Sequence, residues 1–223
     1  MAVKSWLSRV KFNFYIFAKK MIMKHYLSIL FIALFSFSTY AQIVVDINGN
    51  KYPTVKIGEK TWMAKNLAVT KAPDGTELIS YPYLGIEDSV KTFGRIYDWE
   101  NARKACPIGW HLPSDDEFLQ MIKFLGGPMV AGGKMKEAGT THWKDPNKGA
   151  TNESGLTVLP VGYRTAKGKY VNFKKNLAYF WTSTPVDDDL AWGYYLTYGE
   201  PIIYRYSASF TKDMGFSVRC IKD

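Results

Sequence analysis

Cysteine and histidine are scarce in this chain, two and three residues among 223, and the scarcity removes several chemistries at the outset. A closed zinc site needs four ligands, and the run from Cys106 to His111 offers two with no others at zinc-site spacing. A hydrolytic triad needs a histidine beside a nucleophile and an orienting acid. His111 sits inside Trp110-His111-Leu112-Pro113 and His142 beside Trp143, each without a partner at a recognisable spacing. No Gly-Lys-Ser arrangement occurs, so Gly126 to Gly133 reads as a connector and not a phosphate loop. Long apolar runs are missing too. The longest, Leu27 to Phe37, falls short of the roughly 20 residues of a comfortable membrane helix.

Acidic residues are absent from the first 41 positions, which carry six basic ones. Lys24-His25-Tyr26, the apolar run and Ser38-Thr39-Tyr40-Ala41 together have the form of an export signal, with cleavage expected after Ala41 and the true start at Met21 or Met23. A rival reading makes the residues before Met21 a basic amphipathic extension resting on a membrane surface. No cysteine follows the apolar run, so the usual bacterial lipid anchor is not expected. Without the leader, the net charge of +9 shrinks to +3, from 23 basic and 20 acidic residues. That removes the electrostatic argument for nucleic acid. The expected location is secreted or in the cell envelope, in the periplasm or at the outer surface, with no stable membrane span after cleavage.

Residues 42–223 suit a single domain, and 16% aromatic content with frequent Gly, Asn, Asp and Pro favours short strands and ordered loops. The predicted strands are Ile43 to Asp46, Thr54 to Ile57 and Thr61 to Ala64, then Leu156 to Tyr163, Tyr179 to Ser183, a meander from Trp192 to Ala208 and a closing strand from Val218 to Ile221. Ala68 to Thr92 and Gly139 to Gly155 read as long loops. Tyr97 to Ala105 predicts a helix, and Ser114 with Glu117 predicts a capped helix ending at Gly126-Gly127-Pro128. A short helical stretch is expected around Lys134 to Glu137. In an oxidising compartment the two cysteines are expected to pair, Cys106 with Cys220.

Four strings occur in order: Cys106-Pro107-Ile108-Gly109-Trp110-His111-Leu112-Pro113-Ser114, Gly155 to Arg164, Phe180-Trp181-Thr182-Ser183-Thr184, and Gly215-Phe216-Ser217-Val218-Arg219-Cys220. As a set they resemble the Fibrobacter succinogenes major paralogous domain, over most of Val55 to Ile221. The resemblance implies a distant likeness to the C-type lectin-like fold shared with the formylglycine-generating enzyme group. The fold expected from it is α+β, with two helices, a small twisted antiparallel sheet and long loops. It also implies a bridge between a cysteine near the first helix and one in the last strand.

Calcium-dependent sugar binding in that fold uses a Glu-Pro-Asn or Gln-Pro-Asp loop and a Trp-Asn-Asp string. Glu200-Pro201-Ile202 departs from the first and the second is missing, so no cofactor is expected beyond a calcium ion at Asp187, Asp188 and Asp189. Oxidation of a substrate cysteine, the chemistry of the formylglycine enzymes, is not expected where both cysteines are bridged. The positive signal is aromatic. Flat rings with polar edges stack on sugars and peptides, and Trp143, Trp192, Tyr195, Tyr198 and Tyr204, with Arg205, form the candidate ligand site. The reading that follows is a non-enzymatic binding or adhesion module for a glycan or cell-surface protein. The alternatives are an enzyme acting on extracellular polysaccharide through Glu200 and Asp213, and a structural envelope component.

Overall fold

The structure, a computed structural model, describes residues 42–171 and 175–223. The expected leader and its starts at Met21 or Met23 lie outside the described residues. At the amino-terminal end, β1 (Ile43–Val45), β2 (Lys51–Ile57) and β3 (Lys60–Met63) form the expected antiparallel meander. In β2 the burial alternates from Lys51 to Thr54, with Tyr52 and Thr54 inside, and the pattern breaks at exposed Lys56 before buried Ile57, which joins a different apolar cluster from Tyr52.

The segment expected to be a loop carries β4 (Ser80–Pro82) and α1 (Val90–Phe93), and leads into β5 (Arg95–Tyr97). Helix α2 (Trp99–Lys104) is capped by Asp98, whose carboxylate accepts from the Asn101 amide. After β6 (Trp110–His111) comes α3 (Asp115–Phe124), with both bonds of the predicted capping box between Ser114 and Glu117. Helix α4 (Pro128–Met135) corrects the reading of Gly126 to Gly133 as a connector. Proline at the first helical position suits its fixed φ. Gly132 and Gly133 lie inside this helix because a Cβ there would stand 2.5 Å from the Ile202 carbonyl oxygen and 2.3 Å from that of Gly149.

The remaining strands are β7 (Tyr163–Arg164), β8 (Tyr170–Val171), β9 (Leu177–Pro185), β10 (Ala191–Thr197), β11 (Ile203–Tyr206), β12 (Phe216–Ser217) and β13 (Ile221–Lys222). One sheet has the order β1-β2-β3-β13-β6, a second the order β11-β10-β9-β12-β5-β4, and β7 with β8 makes a third. Leu156 to Tyr163, expected to be one strand, is a mostly buried segment turned by positive φ at Thr157 and Gly162, held by single bridges such as Lys136 to Val158 and Gly162 to Ala178, and only Tyr163 lies in a strand, β7.

These observations overturn the expectation of an α+β, C-type lectin-like fold with two helices and a small sheet. Among the described residues there are thirteen strands in three sheets, and the α-helices are four to ten residues long. The physical reason is the frequent punctuation by glycine, asparagine and proline. It cuts the chain into segments too short to sustain long helices, and two-residue strands then close the sheets.

The six-stranded sheet is covered on both faces. Along β9, Tyr179 and Trp181 join one apolar cluster with Tyr97 and Phe216, while Ala178 and Phe180 join another with Phe118 and Tyr194. Trp181 stacks on Phe216 at 4.1 Å, and Phe118 on Tyr194 at 4.6 Å. Burying each such ring contributes about 2–3 kcal/mol. Residues 216 to 222 cross from this sheet, through β12, to the five-stranded one, through β13. Cys220 sits in the crossing and is bonded to Cys106, 114 residues earlier, as the sequence predicts.

Candidate functional site

Strands β9, β10 and β11 pair antiparallel so that Tyr179, Tyr195 and Tyr204 stand opposite one another in successive strands. Their rings stack into a ladder, with centroids 5.5 Å apart from Tyr179 to Tyr195 and 4.7 Å from Tyr195 to Tyr204. Because β11 is the edge strand, Tyr204 is the last rung. Its hydroxyl donates to the carboxylate of Glu200, and that hydrogen bond, followed by burial, pushes it up to about 12. Tyr206, two residues on, shares this face and meets Phe210 edge to face at 5.1 Å.

The turn between β10 and β11 is anchored from below by Lys136, which is 0% exposed. Its ammonium donates to the carbonyls of Lys148 at 3.0 Å, Thr197 at 2.9 Å and Glu200 at 3.0 Å. Burial pulls Lys136 down to about 8, while the three carbonyls favour the charged form.

The other predicted residues are not on this face. Arg205 points to the opposite side of the hairpin and grips Asp115 at the first turn of α3, Nε to Oδ1 at 2.8 Å and Nη2 to Oδ2 at 2.6 Å. Its guanidinium lies 3.4 Å from the Trp192 ring centroid, and the Tyr194 hydroxyl donates to the same carboxylate at 2.8 Å. That carboxylate, by hydrogen bond, holds Arg205 above its ordinary value. Burial, aided by Asp115, pushes the Tyr194 hydroxyl well up. Arg205 is therefore a strut with Trp192 packed on it, and neither belongs to the ladder. Tyr198, half-buried, lies beyond the end of β10 with the Lys144 ammonium 4.9 Å from its ring centroid.

Trp143 leaves the candidate set. It is 0% exposed and its Nε1 donates to the Val158 carbonyl at 2.8 Å, so it is a core residue closed to any ligand. Asp187, Asp188 and Asp189 do not assemble a calcium site. Asp187 Oδ1 accepts from the amides of Asp189 and Leu190, which makes the segment a turn. The Lys212 ammonium already occupies the carbonyls of Asp187 and Asp188, at 2.7 Å and 2.9 Å. Among the described residues no three His, Cys, Asp or Glu side chains converge on a metal position.

Glu200 and Asp213 are also kept apart. Thr211 bridges Leu190 just before β10, whereas Glu200 follows its far end, so the length of the strand, about 20 Å, separates them. Glycosidase carboxyl pairs stand roughly 5–9.5 Å apart. Reading the sequence alone missed Tyr179 and Lys136. A hairpin register pairing Tyr195 with Tyr204 would have pointed to Tyr179, whereas nothing in the sequence around Lys136 marks it as buried.

Fold and site together define a disulfide-bonded, mostly β domain with an aromatic ladder at one sheet edge. The Fibrobacter succinogenes major domain matches residues 55–222, and the chain belongs to that family. No curated protein and no solved structure matches it. Among the described residues no helix is long and apolar enough to cross a membrane.

Proposed function

We propose that this chain is an exported, non-enzymatic binding module that recognises a glycan at the cell envelope or outside the cell, through the outer face of Tyr204. The observation that carries the reading is the ladder's termination: Tyr204 is the last ring, at a sheet edge, and a sugar ring is the shape that extends such a stack. Glu200, already aligned on the Tyr204 hydroxyl, is an acceptor for sugar hydroxyls beside it. Export is inferred from the leader composition and agrees with the Cys106–Cys220 bond. The separation of Glu200 from Asp213 supports binding over hydrolysis.

Binding of the chain to a glycan array, repeated with chelator, tests this. Tyr204→Ala should weaken binding about tenfold, whereas Trp192→Ala, on the opposite face, and chelator should leave it unchanged. Failure to bind any glycan, or equal binding by Tyr204→Ala, refutes the reading.

One observation favours a second reading, a structural role in an envelope assembly. Ile43 and Val45 of the edge strand β1, with Ile47, are more than half exposed, and Ile108 is 87% exposed. Val45, Ile47 and Ile108 line one cavity of about 300 Å³, and an exposed apolar surface of this kind marks a contact face.

A further inference from the structure

Arg219, between β12 and β13, is 4% exposed and has no carboxylate against it among the described residues. The other buried arginine, Arg95, pairs with Glu87. Arg219 instead donates Nε to the Asn66 side-chain oxygen at 2.7 Å and Nη1 to the Leu156 carbonyl at 2.6 Å. Asn66 cannot turn its amide around, because its nitrogen donates to the Phe93 carbonyl at 2.9 Å. Nη2 has one long contact, to the Thr157 carbonyl at 3.5 Å, and is the end of the guanidinium with hydrogen-bonding capacity to spare. A buried cation without an anion is costly, and burial pulls Arg219 down to about 9.

Arg219 lines a cavity of about 270 Å³ enclosed by β2, the residues after β3 and the Gly155 to Leu159 segment. Thr54, Lys65, Asn66, Thr92 and Thr157 supply the rest of its polar lining, Val55 and Leu159 belong to its apolar wall, and no acidic residue lines it. It shares Lys65, Asn66 and Thr92 with a neighbouring cleft of about 440 Å³, whose lining also includes Glu87 and Asp88.

We propose that this cavity binds a small organic monocarboxylate, with the carboxylate on Nη2 of Arg219 and the apolar body against Val55 and Leu159. One buried guanidinium balances one negative charge, which favours a monoanion over phosphate, and the apolar wall calls for a hydrocarbon body. The site is separate from the tyrosine ladder and stands or falls independently of glycan binding.

The experiment is an amide NMR titration of the full chain with butyrate, with butyramide as its neutral counterpart and with inorganic phosphate. Butyrate should shift the Asn66 and Thr157 amides saturably, butyramide should not, and Arg219→Gln should lose the response. Should Arg219→Gln fail to fold, Lys65→Glu at the cavity mouth serves in its place and should weaken butyrate about fivefold. Absence of a saturable shift, an equal response to butyramide, an unchanged affinity in Lys65→Glu, or binding of phosphate in preference to butyrate overturns the proposal.

Discussion

Replacing Lys136 by methionine removes an ammonium while keeping a side chain of similar length, and three carbonyls, those of Lys148, Thr197 and Glu200, lose their only described side-chain donor. A charge-assisted bond contributes about 1.5–3 kcal/mol, so the gross loss is about 5–9 kcal/mol. Removing a buried cation returns several kcal/mol of desolvation. The net expectation is destabilisation by about 3 kcal/mol. With a urea slope of about 2 kcal/mol/M, the unfolding midpoint should fall by about 1.5 M. Because one of the three carbonyls is that of Glu200, the loss should concentrate in the β10–β11 turn. Amide exchange of Thr197 to Ile203 should accelerate more than that of β9. An unchanged midpoint, or uniform acceleration across the sheet, would refute the reasoning that this ammonium fastens the turn.

Replacing both Cys106 and Cys220 by alanine should lower stability by about 4–5 kcal/mol, the chain-entropy value for a closed loop of 114 residues, measured by equilibrium unfolding. Gly133→Ala should cost about 2–3 kcal/mol in the same assay, since its Cβ would stand 2.3 Å from the Gly149 carbonyl oxygen. Burial alone would lower His111, but its hydrogen bonds to Asp223 and Glu117 outweigh that and raise it, while the Ser114 amide and His111 outweigh burial at Glu117 and lower it. The stabilisation from His111 is fully present below its ordinary 6.5 and is lost as pH rises through the raised value. That from Glu117 is present above 4.5 and is lost as pH falls through the lowered one. Stability should therefore peak between these values, and thermal melts of His111→Gln should lose the decline on the alkaline side.

What could be read from the sequence was local. The Ser114–Glu117 box, the short strands of the first meander and the pairing of two lone cysteines depend on neighbours in the chain or on elimination. The strands that close the sheets were only partly legible: a closing strand was expected over Val218 to Ile221, and of those residues only Ile221 lies in one, β13. β6, β12 and β13 are two residues long and carry no alternation, so only their partners define them. The glycines of α4 read as a connector because helix propensity penalises them. Close approach of the Ile202 and Gly149 carbonyls requires them there. The candidate site followed the same division. That Tyr195 and Tyr204 belong to one meander could be seen, but which residues they face depends on a register that brings in Tyr179 and sends Arg205 to Asp115.

The crossing at residues 216 to 222 also sets the order in which the protein can mature. β12 lies between β9 and β5, and β13 between β3 and β6, so one short segment supplies an interior strand to both large sheets. Neither sheet can close until that segment has been synthesised, however early its other strands emerge from the ribosome. The covalent bond at Cys220 then becomes available only when both sheets are ready to lock.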